Sequence, residues 1–296
     1  MKPARFPRRK KQYAPKRKQF KGKTRLVSMQ VEPFGGKGKA MVFKSSSGKQ
    51  LMVFKNSFPF LERLFGRRAL NDLLSQKSPW IVDEIEAKIR SMQKWLLHPD
   101  SPYTTFEASP WPGRTIIVKD FSRVSGEKPD AGFREVRILS KAFADYNFAI
   151  KKGIIKPSSY RLSIQRFLLA TPQLAIAEAV FRPTLMDVKN TAIQGYVPDY
   201  LHDFSGSDFH FRAVQKFFKD FEKFFPGSNP WEKKKALWAS LSRAFSEFEA
   251  QNRALKQNLY GNSESLEGFR IAEPNIIVEG YNPKTGVWDF RIIDRE

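Results

Sequence analysis

The sequence predicts an α+β protein, mostly helical, preceded by a disordered basic arm. Three observations lead there. The tetrapeptide Met-Val-Phe-Lys occurs twice, at 41–44 and 52–55, around Ser46-Ser47-Gly48, which is the pattern of a β-hairpin. Phe and Leu recur at helical spacing through 211–260. The first 25 residues carry 12 Lys and Arg, no Asp or Glu, and no apolar period that could fold. The expected organisation is an arm at 1–25, a small sheet with two helices and loops at 26–132, and a helical domain ending in a β-hairpin at 133–296.

Beyond the arm, Val27, Met29 and Val31 share one face of an alternating stretch, so a third strand joins the hairpin in a small N-terminal β-sheet. From Ser57 the period becomes helical, with Leu61, Leu64, Phe65, Leu73 and Leu74 on one side. Ser78 and Pro79 then open a second helix, whose stripe is Ile81, Ile85, Ile89, Met92 and Leu96. Residues 98–132 read as loops around one short strand, Thr115 to Val118. Arg134 to Leu139 fits a strand, and Ala142 to Ile150 fits helix and strand alike. Tyr160 to Leu169 and Pro172 to Phe181 read as consecutive helices, the second capped by Thr171 with Pro172 at its first position. Two longer helices follow. Phe217, Phe218, Phe221, Phe224 and Phe225 mark the first, Pro226-Gly227 stops it, and Asn229-Pro230 opens a second striped by Leu237, Trp238, Leu241, Phe245, Phe248 and Leu255. They form an antiparallel helical hairpin. Ile276 to Glu279 and Val287 to Ile293, around Asn282-Pro283-Lys284-Thr285-Gly286, make a C-terminal β-hairpin.

Charge placement carries the functional reading. The formal net charge is +22, of which residues 1–25 hold +12, residues 26–80 hold +6, and residues 81–296 only +4. Charge serving solubility alone would be spread more evenly, so this distribution marks a dedicated contact for a polyanion. In the arm, Arg5, Arg8, Arg9, Lys10, Lys11, Lys16, Arg17, Lys18, Lys21, Lys23 and Arg25 are suited to phosphates, because each neutralised phosphate releases counterions without any folded geometry. Phe6, Tyr13 and Phe20 interrupt the run at sevenfold spacing and supply rings for unpaired bases. Lys37, Lys39, Lys44, Lys49 and Lys55 around the hairpin, with Arg63, Arg67 and Arg68 on the following helix, continue the basic surface onto the body. Phe43 and Phe54 are the body's stacking candidates, whereas the Phe residues of 217–248 read as core.

Catalytic patterns fail on inspection. Cysteine is absent, which removes disulfides, thiol catalysis and Cys-containing zinc sites. Ser-Ser-Ser-Gly-Lys-Gln at 45–50 resembles the end of a phosphate-binding loop, but Phe43 and Gln50 stand where that loop requires Gly and Ser or Thr. Phe34-Gly-Gly-Lys-Gly38 opens no helix. Asp199, His202, Asp203, Asp208 and His210 are the densest group of metal-binding side chain types, yet their spacing fits no ligand motif and their neighbours are turn formers. His98 has no evident partner.

The expectation is a non-enzymatic nucleic-acid-binding protein, RNA or another single strand favoured, that binds phosphates largely without sequence specificity. Its role would be packaging, as in a nucleocapsid or coat subunit. Two alternatives stand beside it: a ribonucleoprotein or ribosome-associated component, and a metal-dependent enzyme acting on nucleic acid. No cofactor and no metal are expected, self-association is, and membrane insertion is not, since no run of eighteen apolar residues occurs. An intracellular or virion location follows, without secretion, and with the nucleus open to it in a eukaryotic host.

Overall fold

Strands β1 (Ser28–Phe34), β2 (Gly38–Lys44) and β3 (Gln50–Phe54) form the antiparallel meander that the repeated Met-Val-Phe-Lys segments require, with Met41 opposite Val53 and Phe43 opposite Leu51. The computed structural model describes residues 28–34, 38–44, 48–54, 57–75, 82–85, 87, 91, 103–107, 115–123, 129–178, 180–194, 207–260 and 273–293. The three strands are part of something larger. With β4 (Tyr103–Glu107), β5 (Thr115–Asp120), β7 (Phe167–Ala170) and β8 (Leu174–Glu178) they make a seven-stranded antiparallel sheet in the order β1-β2-β3-β7-β8-β5-β4. One sheet thus takes strands from both sides of residue 132. A second sheet has the order β6-β10-β9, with β6 (Tyr160–Ile164) parallel to β10 (Val287–Ile292) and β9 (Ile276–Asn282) antiparallel to it.

The larger sheet is covered on both faces. Phe43, Leu51, Val53, Leu174 and Ile176 point to one side, where α1 (Phe58–Phe65), α2 (Arg67–Leu74) and the helical residues Val82 and Ile85 bury them. Val42, Met52, Phe54, Ala175 and Ala177 point to the other, against α3 (Ala131–Lys151). A register shift between Phe167 and Leu169 lets Leu168 and Leu169 reach the same side, as a β-bulge does. Under α3 the second sheet contributes Tyr160, Trp288, Phe290 and Ile292 to the same core. That core is closed by α4 (Leu185–Gln194), α5 (Ser207–Phe221) and α6 (Pro230–Tyr260).

The fold is α+β and mostly helical, and the helical hairpin of α5 and α6 and the hairpin of β9 and β10 lie where the sequence puts them. In the latter, Asn282 accepts the Gly286 amide on its carbonyl at 2.8 Å and the Lys284 amide on its side chain at 3.0 Å. Three local expectations are corrected. Residues 134–150 are one continuous helix, because Val136, Leu139, Ala142, Tyr146 and Ala149 keep a helical stripe against the sheet. The two helices expected between 160 and 181 are β6, β7 and β8. Thr171 does accept the Leu174 amide on its hydroxyl, at 3.1 Å, but the Thr171 amide also donates to the Leu174 carbonyl at 2.8 Å, so the supposed cap is a strand-to-strand turn. Residues 98–132 contain a second strand, β4. The stripe of the helix at 78–97 lies mostly outside the described residues; inside them, Ile85 is buried as expected, together with Val82.

Two close contacts fix α3. A Cβ at Gly132 would come within 2.4 Å of the Thr171 carbonyl oxygen and 2.7 Å of the Leu174 amide, so only glycine lets the helix start meet the β7–β8 turn. Lys119 of β5, 3% exposed, places its ammonium 2.9 Å from the Glu135 carboxylate of α3 and 2.6 Å from the Ile293 carbonyl at the end of β10. Removing one partner of such a pair strands the other charge in the interior. Lys119→Ala is expected to lower the unfolding free energy by about 3–5 kcal/mol in urea titrations. Combining Lys119→Met with Glu135→Leu is expected to recover most of the loss, and a double variant no better than the single one would refute the account.

Candidate nucleic-acid interface

The basic residues assigned to the body fall into separate groups. Lys44 and Lys49 stand at the same end of the β2–β3 hairpin, both exposed, and the Lys49 ammonium lies 3.2 Å from Asp83. Lys39 is at the opposite end of β2, five residues and roughly 17 Å of strand from Lys44. Arg63, Arg67 and Arg68 flank Gly66, where α1 gives way to α2, and all three are exposed. The Arg67 side chain is 84% exposed, with Glu62 3.8 Å away. This corner presents three guanidinium groups over a few residues, an arrangement suited to phosphate oxygens. Lys37, Lys55 and every arm residue named above, from Arg5 to Arg25 with Phe6, Tyr13 and Phe20, lie outside the described residues.

Phe43 and Phe54 are not stacking platforms. They are 0% and 2% exposed, one on each face of the larger sheet, where sequence alternation would have left one face open had no helix covered it. Asp199, His202 and Asp203 lie outside the described residues. Asp208 and His210 are two positions apart in α5, a spacing that does not bring side chains together on a helix. Among the described residues no three His, Cys, Asp or Glu side chains form a group that could hold a metal ion. No described helix is long and apolar enough to cross a membrane.

Comparison with protein-family models, with curated proteins and with solved structures finds no match to this chain. The reading rests on the chain's own geometry.

Sequence reasoning passed over the turn between α5 and α6. Of the Phe rings assigned to core, Phe217, Phe218, Phe225 and Phe248 are buried, but Phe224 is 44% exposed; it and the nearby half-buried Trp231, which was assigned no role, each carry a lysine ammonium over the face. The available signal was the density of lysine beside these rings in Lys-Phe-Phe-Lys-Asp-Phe-Glu-Lys-Phe-Phe and Trp-Glu-Lys-Lys-Lys.

The strongest perturbation of titratable groups is elsewhere, where α6 crosses the start of β6. Glu247 accepts the backbone amides of Ser158 at 2.7 Å and Ser159 at 3.1 Å, both serine hydroxyls, and the Gln251 amide at 2.9 Å. Burial works to raise its pKa, but the bonds from Ser159 and Ser158 outweigh it and hold the carboxyl below its ordinary value. Burial pushes the neighbouring Tyr146 up to about 12, against its hydrogen bond with Tyr160 and with help from the Glu247 charge. Tyr160 is raised by burial and by Tyr146, and donates to Gln251 at 3.2 Å. Neutral tyrosines beside a carboxylate saturated with donors form a structural pin, with no group poised to exchange a proton near neutrality. Asp145 and Asp289 are also raised, each chiefly by burial, and neither belongs to this cluster.

A carboxylate with a depressed folded pKa stabilises the fold above its unfolded value, near 4.5, and loses that contribution as pH falls through the folded value. Urea midpoints of the parent and Glu247→Gln are therefore expected to differ most above about pH 5 and to converge as the pH falls through the depressed folded value. A gap independent of pH would show that the charge is not what the serines hold.

Proposed function

We propose that this protein binds nucleic acid, single-stranded or RNA in preference to a defined duplex sequence, and that it packages or organises that nucleic acid rather than transforming it. The observation that carries the reading is the concentration of +12 in residues 1–25, with no acidic residue to compete with phosphates. Three features of the body agree with it. The Arg63, Arg67 and Arg68 corner offers a second set of exposed cations. Strand β1, which begins three residues beyond Arg25, is an edge of the larger sheet among the described residues. Both edge strands, β1 and β4, are paired on one side only among the described residues, and open edges are where sheets meet other chains. A packaging subunit needs these two things, an arm for the genome and a body that meets its neighbours.

The test is the salt dependence of binding to single-stranded RNA, for the full chain and for a chain lacking residues 1–25. About 0.7 ions are released per phosphate contact on single strands, so twelve engaged charges would steepen the log–log slope by roughly 8. The expected result is a loss of at least half that slope on truncation. A change of less than about 1 would remove the arm as the anchor. Sizing after nuclease treatment separates the roles: large regular oligomers are expected of a packaging subunit, and a strict monomer would replace that role with membership of a ribonucleoprotein.

A further inference from the structure

We infer that the elbow between α5 and α6 is a second nucleic-acid contact, on the folded body, which takes an unpaired base against Phe224 and its flanking phosphates against Lys223, Lys234 and Lys235. The inference rests on the reading of the protein as a nucleic-acid binder and adds to it a site independent of the arm.

The charge balance points here first. Residues 216–235 carry Lys216, Lys219, Lys223, Lys233, Lys234 and Lys235 against Asp220, Glu222 and Glu232, a net +3, whereas residues 81–296 as a whole carry +4. Two of the three carboxylates are committed to the fold. Asp220 holds Arg182 at 2.8 Å, and Glu232 accepts the Ser228 amide at 2.6 Å. None of the six lysines pairs with a carboxylate among the described residues, although cations elsewhere in the body do: Lys119 with Glu135, Lys189 with Glu273 and Arg291 with Glu279, at 2.6–2.9 Å. Nor does helix stability account for Lys233, Lys234 and Lys235. They lie near the start of α6, the positive end of the helix dipole, where cations are disfavoured.

The rings supply the second argument. The Lys223 ammonium is 5.2 Å from the centre of the Phe224 ring, the Lys235 ammonium 4.8 Å from that of Trp231, and the half-buried Lys234 places its ammonium 5.1 Å from that of the buried Phe218. Phe224 is held from behind by Tyr281 at 6.4 Å, which is itself packed on Phe225 at 4.9 Å and Trp288 at 4.5 Å. A 44%-exposed ring held at a tilt against an aromatic cluster loses little freedom when a base lies on it. The turn is also tightly specified. A Cβ at Gly227, which has φ 155°, would come within 2.6 Å of the Lys233 amide nitrogen, so the main chain of the elbow passes close against the start of α6. A single exposed ring among lysines suits a flexible polyanion that has flat faces of its own. A lipid surface would call for several apolar side chains to insert.

Binding of a fluorescent uridine oligonucleotide to the full chain, across a range of salt, tests the assignment. Lys223→Ala with Lys234→Ala and Lys235→Ala is expected to lower the log–log slope by about 2. Phe224→Ala is expected to weaken binding about tenfold at fixed salt with little change of slope, and Phe224→Trp to restore it. Thermal unfolding is followed in parallel: Phe224→Ala removes the contact with Tyr281 and Lys234→Ala the one with the buried Phe218 ring, so binding is compared well below the midpoint of each variant. Failure of the full chain itself to bind would overturn the proposed function and this site together. Parental binding by the elbow variants would overturn the site and leave the arm standing. An equal loss from Phe148→Ala, an exposed ring under Lys152 on α3, would also overturn it by reducing the effect to a general one of surface rings.

Discussion

The Lys119 ammonium is the point on which the layers of this molecule depend. It is anchored in β5, near one edge of the larger sheet, and it is held by Glu135 on α3 and by the Ile293 carbonyl that ends β10, the central strand of the smaller sheet. Taking such an ion out of water costs several kcal/mol, so its partners must be in place together. That requirement couples three elements distant in sequence. It also explains why α3 starts where it does: Gly132 lets the helix reach the turn at Thr171 to Leu174, and Glu135, one turn on, then faces β5.

A sheet covered on both faces has a second consequence. Its inner strands have no water-facing side and therefore no need to alternate, so Phe167-Leu-Leu-Ala170 and Leu174-Ala-Ile-Ala177 are unbroken apolar runs. Such runs fit a buried helix as well as a buried strand, and the Thr171-Pro172 pair between them carries the chemistry of a cap and of a turn alike. Nothing local separates the two readings. What decides is the partner strand: Met52 and Val53 of β3 pair with Ala170 and Leu169, more than a hundred residues away. Elements whose partners lie close in sequence, the meander at 28–54, the hairpin at 276–292 and the stripe of α6, were legible because the deciding contact lies within the same window.

The candidate sites divide along the same line. A run of 12 Lys and Arg without an acidic residue declares itself in composition. The standing of a ring depends on what covers it, and composition is silent on that. Phe43 and Phe54 looked available because a hairpin taken alone has an open face, and α1, α2 and α3 close both. Phe224 looked buried because it continues a stripe, but the regular helix ends at Phe221 and a single 3₁₀ turn follows. That change of pitch sends Phe225 inward, at 8% exposure, and leaves Phe224 outside.

Two populations of positive charge result, and salt acts on them differently. Lys119, Arg182, Lys189 and Arg291 sit against carboxylates at 2.6–2.9 Å in wholly or partly buried places, where mobile ions screen weakly. Lys216, Lys219, Lys223 and Lys235 of the elbow and the arginines of the α1–α2 corner face solvent, where about 0.15 M salt already confines a charge to roughly 8 Å of influence. Ionic strength therefore screens the exposed set across a range in which the pairs that hold the body together hardly change. Because the two populations occupy different places, screening of the exposed charges need not pass through loss of the fold.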